Sequence, residues 1–307
     1  MSMPPLSGRD LLSLSDLSAD ELAELLAFAT ELKAGKHHPQ FPHKVLGLLF
    51  RKASTRTRVS FSVAMYQLGG QVLDLHSGVT QVSRGEPTSD TARVLDRYLD
   101  VVAIRTFDQA EIQEFADYAS IPVINALTDL EHPCQILADL LTIQEEFGTL
   151  KGLTLTYLGD GNNVAHSLLL GCAMVGMNVH IACPEGYAPD PAIVKQAQGL
   201  MQGQGQVLVT ADPELAVKNA QVLYTDVWAS MGQEAEAGQR LPVFQPYQVN
   251  DQLLEQASAE AIVLHCLPAH RGEEITDDAI EGPASRVWDQ AENRMHAQKA
   301  LLASVLG

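Results

Sequence analysis

Hydroxyl and guanidinium groups crowd one short stretch, Arg51-Lys52-Ala53-Ser54-Thr55-Arg56-Thr57-Arg58. The apolar run from Val45 to Leu49 before it reads as a buried strand. After it, Phe61, Met65 and Leu68 recur at i, i+4 and i+7, like one face of a helix. A helix N-terminus leaves N–H donors without intrahelical partners and carries a partial positive charge. A strand-to-helix turn of this make-up can therefore hold an anion. No glycine-rich phosphate loop is present. Ser54, Thr55 and Thr57 supply hydroxyl donors instead, and Arg56 can grip a phosphate bidentately. Taken alone, such a turn is more often a solvated, capped helix start with surface arginines. The polar groups elsewhere in the chain reverse that preference.

Those groups cluster where strand-like runs end, the place where open α/β sheets bind ligands. Arg105 follows Val101-Val102-Ala103-Ile104, and His132-Pro133-Cys134-Gln135 opens a helix. Asp226 follows Val222–Thr225 and could bind an ammonium group. Cys266 sits in His265-Cys266-Leu267-Pro268 after Ala261–Leu264. Singly, each has a plainer reading: a surface arginine, a capping histidine, a turn-capping aspartate and a small buried thiol. Gly159-Asp160-Gly161-Asn162-Asn163-Val164 raises a rival idea, because it lies between a strand and an apolar helical run, with Glu185 at a plausible distance for a ribose. Yet Val164 occupies the third glycine position of a dinucleotide fingerprint, so the match is incomplete. A polar Asn162-Asn163 pair at a helix start suits an amino-acid carboxylate equally well.

The elements that must position these groups alternate along the chain. Ser18 and Glu21 form a capping box for an N-terminal helix, with Leu17 and Leu22 as a staple and Gly35 as its end. Strand-like runs follow at Val45–Phe50, Gln71–Leu75, Val101–Arg105 and Ile121–Asn125. A second series runs through Leu153–Leu158, Val179–Cys183, Val207–Thr210, Val222–Asp226 and Ile262–His265. Helical patterns fall between most of them, which predicts an α/β protein built on parallel sheets. The segment Glu131 to Phe147 reads as a helix joining the two series, residues 147–152 as the linker, and Gln290 to Leu306 as a terminal helix.

Composition narrows the partners. A chain of 307 residues suggests two domains. Its net charge of −18 argues against nucleic acid or an anionic membrane as partner. Against that background, four of only 20 basic residues fall between Arg51 and Arg58, so the positive charge is local, as a small anion requires. Cys134, Cys172, Cys183 and Cys266 form no CxxC pair, which points to a reducing compartment and to no zinc motif. With no signal peptide and no membrane-length apolar run, the expected location is cytoplasmic.

Seven segments in order resemble the ornithine carbamoyltransferase family. They are Ser54–Arg58, Asp90-Thr91-Ala92-Arg93-Val94-Leu95, His132-Pro133-Cys134-Gln135, Gly161-Asn162-Asn163, Asp226-Val227-Trp228 with Ser230-Met231-Gly232, His265-Cys266-Leu267-Pro268, and Ala291-Glu292-Asn293-Arg294. The first and third are shared with aspartate carbamoyltransferases and identify carbamoyl phosphate; the Asp226–Gly232 and His265–Pro268 segments look like the ornithine version. The resemblance implies two α/β domains, each a parallel sheet flanked by helices, with the active site in the interdomain cleft. Residues 1–147 would bind carbamoyl phosphate, with helix 290–307 packing back on them, and residues 148–289 would bind ornithine. It implies that Ser54, Thr55, Arg56 and Thr57 hold the phosphate, and that Arg105 bridges phosphate and carbamoyl oxygen. His132 and Gln135 would contact the carbamoyl group, the Leu267 carbonyl and Cys266 would meet the same ligand, and Arg294 would close on it. Asn163, Asp226, Ser230 and Met231 would hold ornithine, with Cys266 orienting its side-chain amine. Gln81 would be donated to a neighbouring subunit in a homotrimer. The implied activity is transfer of the carbamoyl group to the δ-amine of L-ornithine, giving L-citrulline in arginine metabolism, without cofactor or metal. The alternatives are a sister enzyme using putrescine or an acylated ornithine, a nucleotide-binding oxidoreductase built on Gly159–Val164, and a non-catalytic regulatory paralogue.

Overall fold

The computed structural model describes residues 3–76, 85–201, 205–229 and 234–307. The chain divides into two compact units, residues 1–141 with 293–307, and residues 142–292.

The first unit opens with α1 (Ala19–Lys33). The Ser18 hydroxyl accepts from the Glu21 N–H at 3.2 Å, and the Glu21 carboxylate accepts from the Ser18 N–H at 2.8 Å, which completes the expected capping box. At the other end Gly35 has φ +68°, and the N–H groups of Gly35 and Lys36 return to the carbonyls of Leu32 and Glu31. That is a Schellman ending, and the left-handed residue it needs is glycine. Then come β1 (Val45–Phe50), α2 (Arg56–Gln67), β2 (Gln71–Asp74), α3 (Thr88–Leu95), β3 (Val101–Arg105), α4 (Gln109–Tyr118), β4 (Val123–Leu127) and the start of α5 (Pro133–Phe147). The four strands pair in parallel in the order β2-β1-β3-β4. Phe61, Met65 and Leu68 are all fully buried, so the spacing that marked α2 marks its core face. β4 lies two residues beyond the expected Ile121–Asn125. Pro122 has no N–H to give the ladder, and pairing with β3 begins where Val102 meets Val123.

The second unit carries β5 (Thr154–Leu158), α6 (Asn163–Met174), β6 (Asn178–Ala182), α7 (Pro191–Leu200), β7 (Val207–Thr210), α8 (Pro213–Val217), β8 (Val222–Thr225), α9 (Ala237–Phe244), α10 (Asp251–Leu254), β9 (Ile262–His265) and α11 (Asp277–Glu281). α12 (Val287–Leu306) begins here and ends in the first unit, starting three residues before the expected Gln290. The sheet is again all parallel, in the order β7-β6-β5-β8-β9. Leu158, Leu223, Val263, Val249 and Ile280 share one of its buried clusters.

Each strand order contains a reversal. In the first sheet the chain goes from β1 out to β2, then back to β3 on the other side of β1. In the second it goes from β5 through β6 to β7, then back to β8 beside β5. Loops leaving the two strands at such a point splay apart and leave a crevice at their carboxyl ends. Ser54–Thr57 and Arg105 come from β1 and β3; Asp160–Asn163 and Asp226 come from β5 and β8.

Candidate active site

In the first unit, Phe50 and Arg105 sit side by side at the ends of β1 and β3, and the Arg51 N–H donates to the Arg105 carbonyl at 2.8 Å. Thr55 stands at the N-cap of α2 with φ −82° and ψ −56°, and its side chain makes no capping bond. The donors at this helix start are thus not consumed by the usual cap. Ser54 is half-buried, Thr55 and Arg56 are exposed, and Thr57 is buried.

The four clustered cations have separate partners. Arg51 pairs with Glu111 at 2.5 Å, Lys52 with Asp129, and Arg58 with Asp74. Arg56 alone of the four makes no ion pair among the described residues. A bare run of basic residues could not have distinguished it from its neighbours.

Arg294, on α12, is 3% exposed; its Nη2 donates to the Thr57 hydroxyl at 2.8 Å and its Nη1 to Gln135 Oε1 at 2.6 Å. Gln135 Nε2 donates onward to Asp139 Oδ1 at 2.8 Å. Three segments distant in sequence are therefore joined by one guanidinium. His132 lies at the start of α5 and is buried. Burial, and then the cations of Arg294 and Arg105, hold its imidazole well below the ordinary value of 6.5. It is a neutral ring near pH 7, able to donate one hydrogen bond. Cys134 beside it is fully buried, and burial pushes its thiol up to about 12, so it packs and does not react. Gln81 lies outside the described residues.

In the second unit, Asp226 is the first residue past β8. Its Oδ2 accepts from Asn162 Nδ2 at 2.9 Å, and its Oδ1 accepts from the Val227 N–H at 2.8 Å and the Cys266 thiol at 2.9 Å. Asn162 is also the N-cap of α6; its Oδ1 accepts from the N–H groups of Val164 and Ala165. So Asn162, which follows Gly161 and precedes the expected Asn163, both starts the helix and fixes the aspartate. Its position before an apolar helical run was the signal for the cap. Ser230 and Met231 lie outside the described residues.

Leu267 has φ +58°, uncommon for a side chain of its bulk. The turn is held from below. The Leu267 N–H donates to His265 Nδ1 at 2.8 Å, which places the ring proton on Nε2, where Glu274 Oε1 accepts it at 3.1 Å. His265 and Glu274 are fully buried, and the His265 N–H donates to Gln290 Oε1 at 2.9 Å. Asp226, His265 and Cys266 have ligand-type atoms within 4.8 Å of one another. Both His265 ring nitrogens are already spent inside the protein, so His265 serves to hold the turn.

The glycines of the dinucleotide-like segment have a different use. A Cβ on Gly161 would lie 2.2 Å from Pro189 N and 2.4 Å from the Ala188 carbonyl carbon. The Gly161 N–H donates to the Tyr187 carbonyl at 2.8 Å. In a dinucleotide fold the second glycine opens the backbone to a pyrophosphate. Here the chain's own 187–189 backbone fills that face.

Known proteins match both halves of the chain. The carbamoyl-P binding domain of aspartate/ornithine carbamoyltransferases matches residues 9–145, and the Asp/Orn binding domain of the same family matches residues 151–305. An ornithine carbamoyltransferase of Nostoc punctiforme is 70% identical over 305 residues, covering 99% of each chain. One of Synechocystis is 64% identical over 307 residues, covering 100% of this chain and 99% of its own. Among solved structures, the ornithine carbamoyltransferase from Pyrococcus furiosus superposes with a TM-score of 0.95 at 51% identity, covering 100% of this chain and 99% of its own. That from Gloeobacter violaceus gives 0.90 at 58%, covering 100% of each.

Proposed function

The chain belongs to the aspartate/ornithine carbamoyltransferase family, and from this we infer how its residues divide one reaction between them. It transfers the carbamoyl group of carbamoyl phosphate to the δ-amine of L-ornithine, giving L-citrulline and phosphate. We assign the phosphate to Ser54, Thr55, Arg56 and Thr57 at the start of α2. What supports this is the helix start without a side-chain cap and a cation with no ion-pair partner among the described residues. Arg105 bridges phosphate and carbamoyl oxygen. His132, Gln135, Arg294 and the Leu267 carbonyl hold the carbamoyl group.

The neutral δ-amine attacks the carbamoyl carbon and a tetrahedral centre forms. Negative charge gathers on the former carbonyl oxygen, where Thr57, Arg105 and neutral His132 donate. In other enzymes the loss of one such donor costs about 3–4 kcal/mol. The carbon–oxygen bond to phosphate then breaks, and the departing phosphate takes the amine proton. Arg56, Arg105 and the helix N-terminus neutralise it as it leaves.

The observation that favours ornithine over an acidic acceptor is Asp226, a carboxylate at the end of β8 held by Asn162 and Cys266. A cationic α-amine fits there, and aspartate's second carboxylate does not. We place the α-amine at Asp226, the α-carboxylate at Asn163 and Ser230 with Met231, and the δ-amine at Cys266. We place the reaction in arginine biosynthesis and in the cytoplasm; the four free cysteines support a reducing compartment, and no helix among the described residues is long and apolar enough to cross a membrane. We also infer a homotrimer in which Gln81 serves a neighbouring subunit. Citrulline-type product formation with ornithine, putrescine, N-acetylornithine and aspartate tests the reading. Ornithine should be the preferred acceptor, and higher kcat/KM with any of the other three would overturn it.

A further inference from the structure

No step of the reaction uses Arg240, yet its guanidinium is buried, with 7% of the side chain exposed on α9. Nη1 donates to Asp160 Oδ2 at 2.7 Å and to the Trp228 carbonyl at 2.9 Å, and Nε donates to Glu236 Oε2 at 3.2 Å. Aromatic rings fix it from the side. The guanidinium carbon lies 5.0 Å from the Tyr187 ring centre and 5.9 Å from that of Phe244. Phe244 meets Tyr187 edge-on at 4.7 Å and stacks on Trp228 at 5.9 Å.

The loop after β5 therefore grips the segment after β8 at two places. Asn162 holds Asp226 directly, and Asp160 holds Trp228 through Arg240. The second grip is electrically expensive: burial pushes the Asp160 carboxyl above its ordinary value, and Arg240 opposes that rise. Buried ion pairs of this kind are often replaceable by apolar side chains with no loss of stability. Stability alone is a poor reason to keep one, whereas fixing a backbone segment in one geometry is a good reason.

We propose that Arg240 is a positioning residue for the amino-acid acceptor: by tying the Trp228 carbonyl to Asp160 it fixes the Asp226–Trp228 segment, and so the direction in which Asp226 presents its carboxylate. This rests on the assignment of Asp226 to ornithine. Neither substrate needs to touch Arg240.

Arg240→Met keeps the length and apolar packing of the side chain and removes the charged fork. Losing hydrogen bonds to a charged group should raise the KM for ornithine about tenfold or more, while the KM for carbamoyl phosphate stays within about twofold. Asp160→Asn, which keeps an acceptor and drops the charge, should shift the ornithine KM the same way by a smaller factor. Methylguanidinium added to Arg240→Ala should restore part of the ornithine affinity, which a general packing defect would not allow. Wild-type enzyme assayed in parallel separates two failures. No citrulline from wild type would sink the ornithine assignment. Active wild type with an unchanged ornithine KM in Arg240→Met would sink the role of Arg240, and so would an equal rise in both KM values. Should Arg240→Met fail to fold, Arg240→Lys and Asp160→Asn are read by the same split.

Discussion

Arg56 is distinguished from its basic neighbours by what it does not touch. Arg51, Lys52 and Arg58 neutralise carboxylates of their own unit, and Arg56 projects from the start of α2 without one among the described residues. Arg56→Ala should therefore leave the unfolding midpoint nearly unchanged and lower kcat/KM for carbamoyl phosphate by about a hundredfold or more. Near-normal affinity and turnover in the folded variant would refute the phosphate role. His132 makes the opposite case, a buried group whose protonation is coupled to folding. Its folded pKa lies well below 6.5, so on acidification the unfolded chain takes up this proton before the native state does. The unfolded state binding more protons means that stability rises with pH, and the contribution is lost from about 6.5 downward until the folded value is reached. Between about pH 7 and about pH 5, the urea midpoint of wild type should fall further than that of His132→Asn. Equal falls in the two proteins would show that the imidazole is not held neutral by the fold. Cys266 bears on the nucleophile. An alkyl amine has a pKa of about 10.4, so little neutral ornithine side chain exists near pH 7. The kcat/KM for ornithine should climb from neutral to alkaline pH, and Cys266→Ala should lower it more than it weakens carbamoyl phosphate binding. A flat profile, or an unchanged Cys266→Ala enzyme, contradicts this preparation of the amine.

At the scale of elements, the site depends on loops that leave adjacent parallel strands in divergent directions. The β5–α6 loop shows how tightly such a loop is built: Gly161 meets the 187–189 backbone at a distance no Cβ can share. Backbone cannot swing aside as a long side chain can. Gly161→Ala should destabilise the protein by about 1–3 kcal/mol, as overpacking does, and should weaken ornithine binding by shifting Asn162 from Asp226. Urea unfolding and ornithine KM measured on the same preparation check both halves. Unchanged stability would mean that the 187–189 segment yields freely. The helix ends follow simpler rules. Ser18 with Glu21 and the glycine at 35 were legible as punctuation, because capping depends on residues within one turn of each other. The same locality explains why β4 pairs two residues beyond the start of its apolar run, since such a run does not say which of its residues the neighbouring strand will meet.

For the whole molecule, the net charge of −18 contrasts with the anionic substrate proposed for the start of α2. The charge that favours carbamoyl phosphate must then be local and partly supplied by backbone dipoles, as at the start of α2. The proposed sharing of Gln81 is testable at the level of the assembly. A subunit defective at Arg56 mixed with one defective at Gln81 should regain activity in hybrid trimers, because some sites would draw both intact residues. No recovery, with hybrid assembly verified by mass, would count against a shared site.

Sequence by itself determined the strand and helix alternation, the helix caps, the chemical character of each strand-end cluster and the family, because all of these are carried by residues close together in the chain. Sidedness and spacing say which face of α2 is buried, and they say that polar groups follow β1, β3, β5 and β8. They do not say which cation is spent on an internal carboxylate, and only the fold separates Arg56 from Arg51, Lys52 and Arg58. Nor do they foretell that Arg294 joins Thr57 to Gln135, that Cys266 meets Asp226, or that Arg240 reaches Asp160 across 80 positions. Those pairings arise when parallel strands are ordered with a reversal and their loops fall together. A hydrogen bond depends on distances of a few tenths of an ångström, and sequence separation carries no information about them.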